Sequence, residues 1–493
     1  MSVILNEIRR ATYLDSIVLM RISRQIASLP GVEEAGLILG TPANKDLLRE
    51  AGILGPGGDA AEAGDLILAL RARDEATGEA AVAEAKRLLD HPGASGAPAS
   101  IGSPRTIRAA VKAMPAANLA LISVPGHFAV AEARKALGLG LHVMIFSDNV
   151  PIEEEVALKR EARDRGLLVM GPDCGTAIVG GAPLAFANVV PRGDIGIIGA
   201  SGTGIQEVSC LIARAGRGIS HAIGTGARDL NADVGAITTL MAIDALDANT
   251  VTRHVVLISK PPATSVAKLV LDRVARSPKP FTICFLGAED LPLPANARAA
   301  STLKAAAETC LGQSVTTGQA KPQPLRPDRG KLVRGLFAGG TFCAEAQIVF
   351  QRARLAVASN AAVPGASPLA DAKGAHVMID LGADEFTRGR PHPMIEPTVR
   401  DGPLKAAFAD PAVGVILLDV VLGYGAHPDP ARHVAGVLAG RGGPLVVATV
   451  TGTDSDPQRR TAQVRTLVEA GAIVAESNAD AAAIAIGAIG ETA

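Results

Sequence analysis

The stretch I-G-I-I-G-A-S-G-T-G, from Ile195 to Gly204, decides how the fold of this chain is interpreted. Its first residues suit a buried strand, and a helix is predicted from Gly204 to Ala215. Between them, glycines surround Ser201 and Thr203. Backbone N–H groups at a helix start, together with two hydroxyls, can hold an anion. The alternative is a tight strand-to-helix turn that needs glycine for its backbone alone. No Gly-Lys-Ser/Thr follows, so this is not the phosphate loop of nucleotide-binding enzymes.

A second stretch, F-A-G-G-T-F-C-A-E from Phe337 to Glu345, has the same arrangement. It again follows an apolar strand and opens a helix, with Gly339, Gly340 and Thr341 in the turn. The two turns occupy matching places in two similar stretches of the chain. A dianion held between two helix N-termini is stabilised by both helix dipoles. The pair of turns therefore favours one shared anion site over two unrelated turns.

Apolar strands alternate with helices from Leu119 onward, which predicts an α/β fold with doubly wound parallel sheets. The residues before this region are predicted to form a small α+β module of ferredoxin-like or ACT-like type. In that module, Ile17–Ile22 is predicted as a strand and Arg24–Ser28 as a helix. The predicted divisions are the module at 1–95, a Rossmann-like domain at 96–190, an α/β domain at 191–320, a linker at 321–332 and a similar α/β domain at 333–493.

Composition excludes several classes of protein. The 493 residues are 48% hydrophobic but only 2% aromatic, which suits buried parallel strands rich in Val, Ile, Leu and Ala. A net charge of −1 without a basic block argues against nucleic acid as a partner. The five Cys are scattered without CxxC spacing, which favours a reducing compartment over disulfides or a metal cluster. No membrane-spanning run or signal peptide is expected, and the predicted location is cytoplasmic.

The turn Gly171-Pro172-Asp173-Cys174 follows a predicted strand directly. Cys174 is a nucleophile if the turn lowers the pKa of its thiol. Spacing places no His or Asp partner beside it, so a structural cysteine is the favoured interpretation. Asp173 is a candidate site residue in the same loop. His127 also follows a predicted strand, and its position suits a site residue and an ordinary surface residue equally well.

The segment Asp384–Met394 places two acids, two arginines and a histidine in one loop after the strand that ends at Asp380. Arg388 and Arg390 can clamp a carboxylate or a phosphate, and His392 can act as a general acid or base. The alternative is a surface loop with internal salt bridges. The functional interpretation is favoured, because such sheets bind ligands beyond the carboxyl ends of their strands.

One further loop, Gly423–Asp429, follows the predicted strand that ends at Asp419. Tyr424 is one of only two Tyr in the chain, and Tyr424 and His427 are candidate polar groups of a site. Capping of the next helix by the Pro428-Asp429 turn is an equally good explanation of this loop.

From Val124 to Pro262 the chain resembles the α subunit of succinyl-CoA synthetase, and from Val333 to the end it resembles the carboxy-terminal domain of the β subunit. The matching stretches are Gly171-Pro172-Asp173-Cys174, Ile195–Gly204, Ile223-Gly224-Thr225-Gly226, Ala338-Gly339-Gly340-Thr341, Met378–Gly382 and the strand that ends at Asp419. The resemblance implies a CoA-binding-like domain at 96–190 and ligase-like domains at 191–320 and 333–493. It also implies that both glycine turns face one phosphate. The phosphate-binding residues so implied are Ser201, Gly202, Thr203, Gly339, Gly340 and Thr341.

The departures from that family are as informative as the matches. Its phosphorylated His lies in a Gly-His-Ala-Gly-Ala stretch of the α subunit, but the corresponding region here, after Phe285-Leu286-Gly287, contains no His. Only a short linker stands where the β subunit has its ATP-grasp domain. The glycine-rich CoA loop of the α amino terminus has no counterpart, since a different module occupies residues 1–95. These differences argue against an ATP-dependent CoA ligase.

Over nearly its whole length the chain is similar to the FdrA family, including Thr41-Pro42-Ala43-Asn44-Lys45 and Gly389–Met394. That resemblance implies a component of an oxamate carbamoyltransferase, which interconverts oxalurate plus phosphate and oxamate plus carbamoyl phosphate in allantoin catabolism. It implies small-molecule substrates, phosphate or carbamoyl phosphate as ligand, no required cofactor and a hetero-oligomer with other carbamoyltransferase subunits. On this hypothesis Arg388 and Arg390 hold the oxamate carboxylate and His392 moves a proton.

Two other functions are also consistent with the sequence. One is an acyl-CoA synthetase of the succinate–CoA ligase type, with the nucleotide domain on a separate subunit. The missing His and the missing CoA loop count against it. The other is a non-catalytic subunit that binds a ligand for its partners, which the ACT-like start would suit.

Overall fold

The computed structural model describes residues 2–10, 12, 16–62, 64–90, 104, 106–288, 291–315, 330–387, 391–440 and 442–490. The chain divides into two compact units. The first comprises residues 1–105 and 387–391, and the second comprises 106–386 and 392–493. No helix among the described residues is both long and apolar enough to cross a membrane.

The first unit contains a three-stranded antiparallel sheet in the order β1-β3-β2. Its elements are β1 (Val3–Arg9), α1 (Ser16–Ala27), β2 (Val32–Leu39), α2 (Pro42–Glu50), α3 (Pro56–Asp59), β3 (Leu66–Ala72) and α4 (Glu75–Asp90). The prediction of a strand at Ile17–Ile22 was wrong, because this segment belongs to α1. Leu19, Ile22 and Ile26 are buried at the three- and four-residue spacing of a helix. The missing strand is β1, which pairs with β3 along its whole length.

The second unit begins with a three-stranded parallel sheet in the order β4-β5-β6. Its elements are α5 (Ile107–Ala113), β4 (Leu119–Ile122), α6 (Gly126–Gly138), β5 (His142–Ile145), α7 (Ile152–Asp164) and β6 (Val169–Met170). The five strands and helices predicted for residues 119–170 are confirmed. They could be predicted because each apolar run is short and is bounded by polar turns.

A seven-stranded sheet follows, in the order β13-β12-β11-β9-β10-β7-β8. Its elements are β7 (Thr176–Val179), β8 (Ala182–Ala185), β9 (Arg192–Gly199), α8 (Gly202–Arg214), β10 (Ile219–Gly224), α9 (Ile237–Ala248), β11 (His254–Ser259), α10 (Thr264–Val274), β12 (Phe281–Phe285), β13 (Ala297–Ala299) and α11 (Leu303–Leu311). The hairpin of β7 and β8 lies within the predicted 96–190 domain, yet it adds an antiparallel edge to this sheet.

A second seven-stranded sheet, entirely parallel, has the order β16-β15-β17-β14-β18-β19-β20. Its elements, with two 3₁₀ turns at Leu369–Asp371 and Pro397–Arg400, are β14 (Leu332–Phe337), α12 (Gly340–Arg352), β15 (Val357–Ser359), β16 (Ser367–Pro368), β17 (His376–Asp380), α13 (Asp384–Thr387), α14 (Asp401–Ala409), β18 (Val413–Val421), α15 (Pro430–Leu438), β19 (Leu445–Thr451), α16 (Arg460–Glu469), β20 (Ile473–Ala475) and α17 (Asn478–Ala488).

The two seven-stranded sheets share one hydrophobic core. Ile205 and Val208 of α8 belong to the same buried cluster as Phe342 and Ala346 of α12. Each of these helices follows an inner strand of its own sheet, β9 or β14, directly after a glycine turn. The shared core therefore places the two turns on the same side of the pair of sheets.

A buried lysine links the three-stranded parallel sheet to the first seven-stranded sheet. Lys159, on α7, is fully buried, and its Nζ lies 2.7 Å from Oδ1 of Asp229 and 2.9 Å from Oε1 of Glu155. It also donates a hydrogen bond to the carbonyl oxygen of Thr225, in the loop after β10. Arg228 pairs with the other oxygen of Glu155 at 2.8 Å.

We expect Lys159→Met to destabilise the second unit by about 3–5 kcal/mol, because it leaves buried carboxylates without their cation. The measurement is the urea dependence of far-UV circular dichroism. Lys112→Met, at an exposed position of α5, is the control and should leave the curve unchanged. Equal unfolding midpoints for the two variants would contradict a structural role for the buried ion pair.

Candidate functional site

The two glycine turns meet at the N-termini of α8 and α12. Ser201 is the N-cap of α8, and its Oγ accepts a hydrogen bond from the Gly204 N–H at 2.9 Å. The same Oγ lies 2.5 Å from Oγ1 of Thr341, in the first turn of α12. Both side chains are buried. The structure thus joins the two predicted turns through their hydroxyls.

A second contact between the turns is the reciprocal of the first. A Cβ added to Gly339 would lie 2.9 Å from Cγ2 and 3.0 Å from Oγ1 of Thr203. In the alignment of the two stretches, Thr203 corresponds to Thr341 and Ser201 to Gly339. Each threonine therefore touches the capping position of the opposite helix. Glycine is required at 339, since a side chain there would push the two helix starts apart.

A buried carboxylate holds the second turn in shape. Asp419, on β18, accepts hydrogen bonds from the N–H groups of Ala338 at 2.7 Å and Gly339 at 2.8 Å. Arg400 pairs with the same carboxylate at 2.7 Å, and both side chains are buried. The N–H groups of the first residues of α12, from Gly340 to Phe342, precede the first intrahelical hydrogen bond, which Cys343 donates to Gly339, so they remain available to a ligand.

Opposite charges flank Gly340. A Cβ on this glycine would lie 2.4 Å from Oδ2 of Asp380 and 3.3 Å from Nζ of Lys260. Asp380, at the end of β17, is only 7% exposed. Burial raises the pKa of its carboxyl, and the neighbouring Lys260 opposes that rise. Lys260 is exposed and makes no ion pair within 4.0 Å in the described part of the chain.

His392 lies beside this group. Its Nε2 is 2.7 Å from the position that a Cβ on Gly382 would occupy, and Oδ1 of Asp380 is 3.2 Å from the same point. Its Nδ1 accepts a hydrogen bond from the Met394 N–H, which places the ring proton on Nε2. Burial lowers the pKa of the imidazole to about 4. At neutral pH His392 is therefore an uncharged donor and a weak base.

The predicted arginine clamp cannot be placed beside His392. Arg388 and Arg390 lie outside the described residues, so their roles stay predictions. His427 lies close to the segment that carries His392, because its backbone N–H donates a hydrogen bond to the carbonyl oxygen of Met394 at 2.8 Å. Its own Nδ1 accepts from the Asp429 N–H.

Asp173 occupies a charged part of the surface near Lys260. Its backbone has a left-handed φ of 55°, which is uncommon outside glycine and is often found at functional sites. The residue is exposed, yet enough protein surrounds it that desolvation is the main cause that raises the pKa of its carboxyl to about 6. The nearby Asp148 adds to this rise, while Lys260 and Arg228 oppose it.

The remaining candidates differ in their surroundings. Cys174 is buried, and its Sγ points at the carbonyl oxygens of Thr176 and Gly224. Burial raises the pKa of its thiol to about 12, which favours the structural interpretation over a nucleophile. His127 and Tyr424 are exposed, and no described side-chain contact joins either to the glycine turns. Asp429 stands at the N-cap of α15 without a side-chain capping bond, and its carboxylate pairs with Arg432 instead.

Sequence reasoning missed four charged residues of the site: Lys260, Asp380, Asp419 and Arg400. Asp380 and Lys260 lie at or just past the carboxyl end of a strand next to β14 or β9, and Asp419 lies near the carboxyl end of β18, beside β14. Because loops at such positions converge in parallel sheets, their place after predicted strands was a usable signal. Arg400 could not have been found in this way, since it comes from a 3₁₀ turn far from any strand end.

Comparisons with known proteins agree with this architecture. The family described as "CoA-ligase" matches residues 336–487, and the family described as "CoA binding domain" matches residues 192–287. The second match falls on the first seven-stranded sheet, whereas our CoA-binding-like prediction was placed at 96–190. The family described as "AllF, heavy metal-associated domain" matches residues 1–103.

The FdrA-like protein YahF of Escherichia coli, itself uncharacterised, is 40% identical to this chain over 97% of both proteins. The chain belongs to the FdrA family. The FdrA-type chain also matches SauD, an ADP-forming sulfoacetate-CoA ligase subunit of Bilophila wadsworthia, at 28% identity over 24% of this chain and 43% of that protein. A solved apo dinucleotide-forming acetyl-coenzyme A synthetase 1 from Ca. Korarchaeum cryptofilum aligns at 15% identity and a TM-score of 0.33, over 76% of this chain and 82% of that chain.

The name of the amino-terminal family raises the question of a bound heavy metal. Soft metal ions are held by thiolate, thioether and imidazole ligands. Residues 1–103 of this chain contain no Cys and one His, His91, and their two thioethers are those of Met1 and Met20. Among the described residues no group of three or more His, Cys, Asp or Glu side chains is placed to hold a metal ion, so the module does not fit such a metal.

We expect the thiols of the native protein to resist Ellman's reagent at pH 8. Burial raises the pKa of Cys174, Cys310 and Cys343 to about 12, and raises the pKa of Cys210 and Cys284 as well. Almost no thiolate is then present to react. The control is the same protein in guanidinium chloride, in which all five should react. Rapid native labelling, located at Cys174 by mass spectrometry, would instead support a nucleophile.

Proposed function

We propose that this chain is a component of an oxamate carbamoyltransferase, which interconverts oxalurate plus phosphate and oxamate plus carbamoyl phosphate. The observation that carries the proposal is the contact of Ser201 with Thr341, which brings the N-termini of α8 and α12 together. Two adjacent helix N-termini can bind a phosphoryl group through their backbone N–H donors and their dipoles. Membership of the FdrA family, whose resemblance implies this activity, supports the same assignment.

The reaction needs binding and proton movement but no covalent enzyme intermediate. In the direction of phosphorolysis, an oxygen of hydrogen phosphate attacks the ureido carbon of oxalurate and the carbon–nitrogen bond to oxamate breaks. One proton passes from the phosphate to the oxamate nitrogen, and no electron is transferred. N–H donors at the two helix starts would stabilise the charge on the phosphoryl oxygens. A phosphorylated His is unnecessary, and none occurs in the 287–300 segment.

The second substrate would bind through its carboxylate. Arg388 and Arg390 are the proposed clamp, on the strength of the sequence alone. His392 carries its proton on Nε2 and is neutral because burial lowers its pKa to about 4. It would therefore act as a hydrogen-bond donor to a substrate oxygen, rather than as the base that removes a proton.

A second candidate is supported by the CoA-ligase and CoA-binding matches. An acyl phosphate would react with the thiol of CoA to give a thioester and hydrogen phosphate. The same pair of helix starts would hold the phosphoryl group that leaves. This reaction requires CoA to bind, which phosphate exchange alone does not.

The deciding experiment is ³¹P NMR of the purified full chain with oxalurate and phosphate, with and without the products of neighbouring genes. A carbamoyl phosphate signal supports the transferase, and its dependence on added proteins shows a shared site. A parallel sample contains acetyl phosphate and CoA, and is assayed for thioester. Thioester without carbamoyl phosphate in any mixture would replace the first proposal by the second.

We expect Arg390→Ala to raise the KM for oxamate roughly tenfold to a hundredfold, because a charge-assisted hydrogen bond to the carboxylate is lost. The kcat should change less than the KM. Arg432→Ala is the matched control, since Arg432 is exposed on α15. Unchanged kinetics of the Arg390 variant would remove this residue from the carboxylate clamp.

A further inference from the structure

A carboxylate lies inside the candidate anion site, where a positive charge would be expected. Asp380 reaches the N-terminus of α12, and its Oδ2 lies 2.4 Å from the position of a Cβ on Gly340. Its other oxygen, Oδ1, accepts a hydrogen bond from the Gly382 N–H at 2.9 Å. Asp380 is 7% exposed, and within the described ranges no group donates a hydrogen bond to Oδ2. A carboxylate oxygen to which the described protein groups donate no hydrogen bond can accept one from a ligand.

The charges around Asp380 are arranged for a ligand of mixed character. Lys260 Nζ lies 3.3 Å from the same Cβ position and has no ion-pair partner within 4.0 Å in the described part of the chain. Asp419 and Glu385 also act on Asp380, but Asp419 is already neutralised by Arg400. Among the described residues, the space between Lys260 and Asp380 therefore presents a cation without an ion-pair partner and a carboxylate oxygen without a hydrogen-bond donor.

We propose that this site selects hydrogen phosphate, with Lys260 on its unprotonated oxygens and Asp380 Oδ2 as the acceptor of its O–H. Sulfate has the same shape and charge at pH 7.5 but carries no hydrogen. One of its oxygens would have to face the carboxylate without a shared proton, which is repulsive. This inference rests on the proposed function, since it takes phosphate as the ligand, and it deepens that function by naming the protonation state.

The same contact assigns a role in the reaction. When the phosphate oxygen forms its bond to the ureido carbon of oxalurate, its hydrogen must leave. Asp380 Oδ2 accepts that proton and returns it to the nitrogen of departing oxamate. Atoms and charge balance without any further reactant, because one proton leaves an oxygen and one reaches a nitrogen.

The test is isothermal titration of the full chain with phosphate and with sulfate at pH 7.5. The wild-type protein should bind phosphate at least roughly tenfold more tightly than sulfate, the effect of one charge-assisted hydrogen bond. Asp380→Asn should bring the ratio of the two dissociation constants close to one, because an amide can donate to sulfate. Lys260→Ala should weaken both anions. The matched controls are Asp371→Asn and Lys268→Ala, which change exposed residues of the same two domains and should keep the wild-type constants.

Equal affinities of the wild-type protein for phosphate and sulfate would overturn the inference, whatever the variants do. A wild-type ratio that persists in Asp380→Asn would overturn it as well. The measurement does not depend on turnover. Selective phosphate binding without carbamoyl phosphate formation would overturn the proposed reaction and leave this site standing. Carbamoyl phosphate formation by a protein that binds sulfate equally well would overturn only the inference.

Discussion

Two buried glutamates determine how the ligase-type domains are joined. Glu207, on α8, accepts a hydrogen bond from the N–H of Asn478, the first residue of α17. Glu345, on α12, accepts one from the N–H of Leu303, the first residue of α11. Each glutamate thus caps the last helix of the opposite domain. Burial raises the pKa of both carboxyls, to about 7 for Glu345. The positive charge of Arg214 and hydrogen bonds oppose this rise at Glu207, and hydrogen bonds from Asn478 and Leu303 oppose it at Glu345.

The crossed capping has a direct consequence for the site. It brings the N-termini of α8 and α12 together, so that Ser201 and Thr341 touch and Thr203 packs on Gly339. The domains are alike in this contact but differ around it. In the second domain β17, which lies beside β14, ends in the acid Asp380. In the first domain the corresponding strand beside β9 is β10, which ends in Gly224. The turns that the two domains share thus supply the anion-binding donors. Asp380, which occurs in the second domain alone at this position, supplies a carboxylate that can accept a proton.

The amino-terminal module shows where pattern reasoning fails. The apolar run Ile17–Ile22 suits a strand or a helix, because short apolar runs carry too few periods to separate the two. Only the burial of Leu19, Ile22 and Ile26 on one face shows the helix. The hairpin of β7 and β8 was missed for a related reason. Its strands have four residues each and join the sheet as an antiparallel edge, which the βα alternation does not predict.

The sequence alone determined the α/β architecture, both glycine turns and most of the strands, because each depends on local patterns of apolar residues and glycine. It also determined that the region after Phe285 has no His, which removes the phosphorylated residue of the succinyl-CoA synthetases. Only the tertiary structure decided which charges surround the turns. Lys260, Asp380, Asp419 and Arg400 come from separate segments, and they meet because neighbouring parallel strands end at one edge and the two domains share a core. The position of three of them near the ends of predicted strands indicates this edge, but the pairing of the two domains and the ion pair of Arg400 with Asp419 depend on long-range packing that no local pattern encodes.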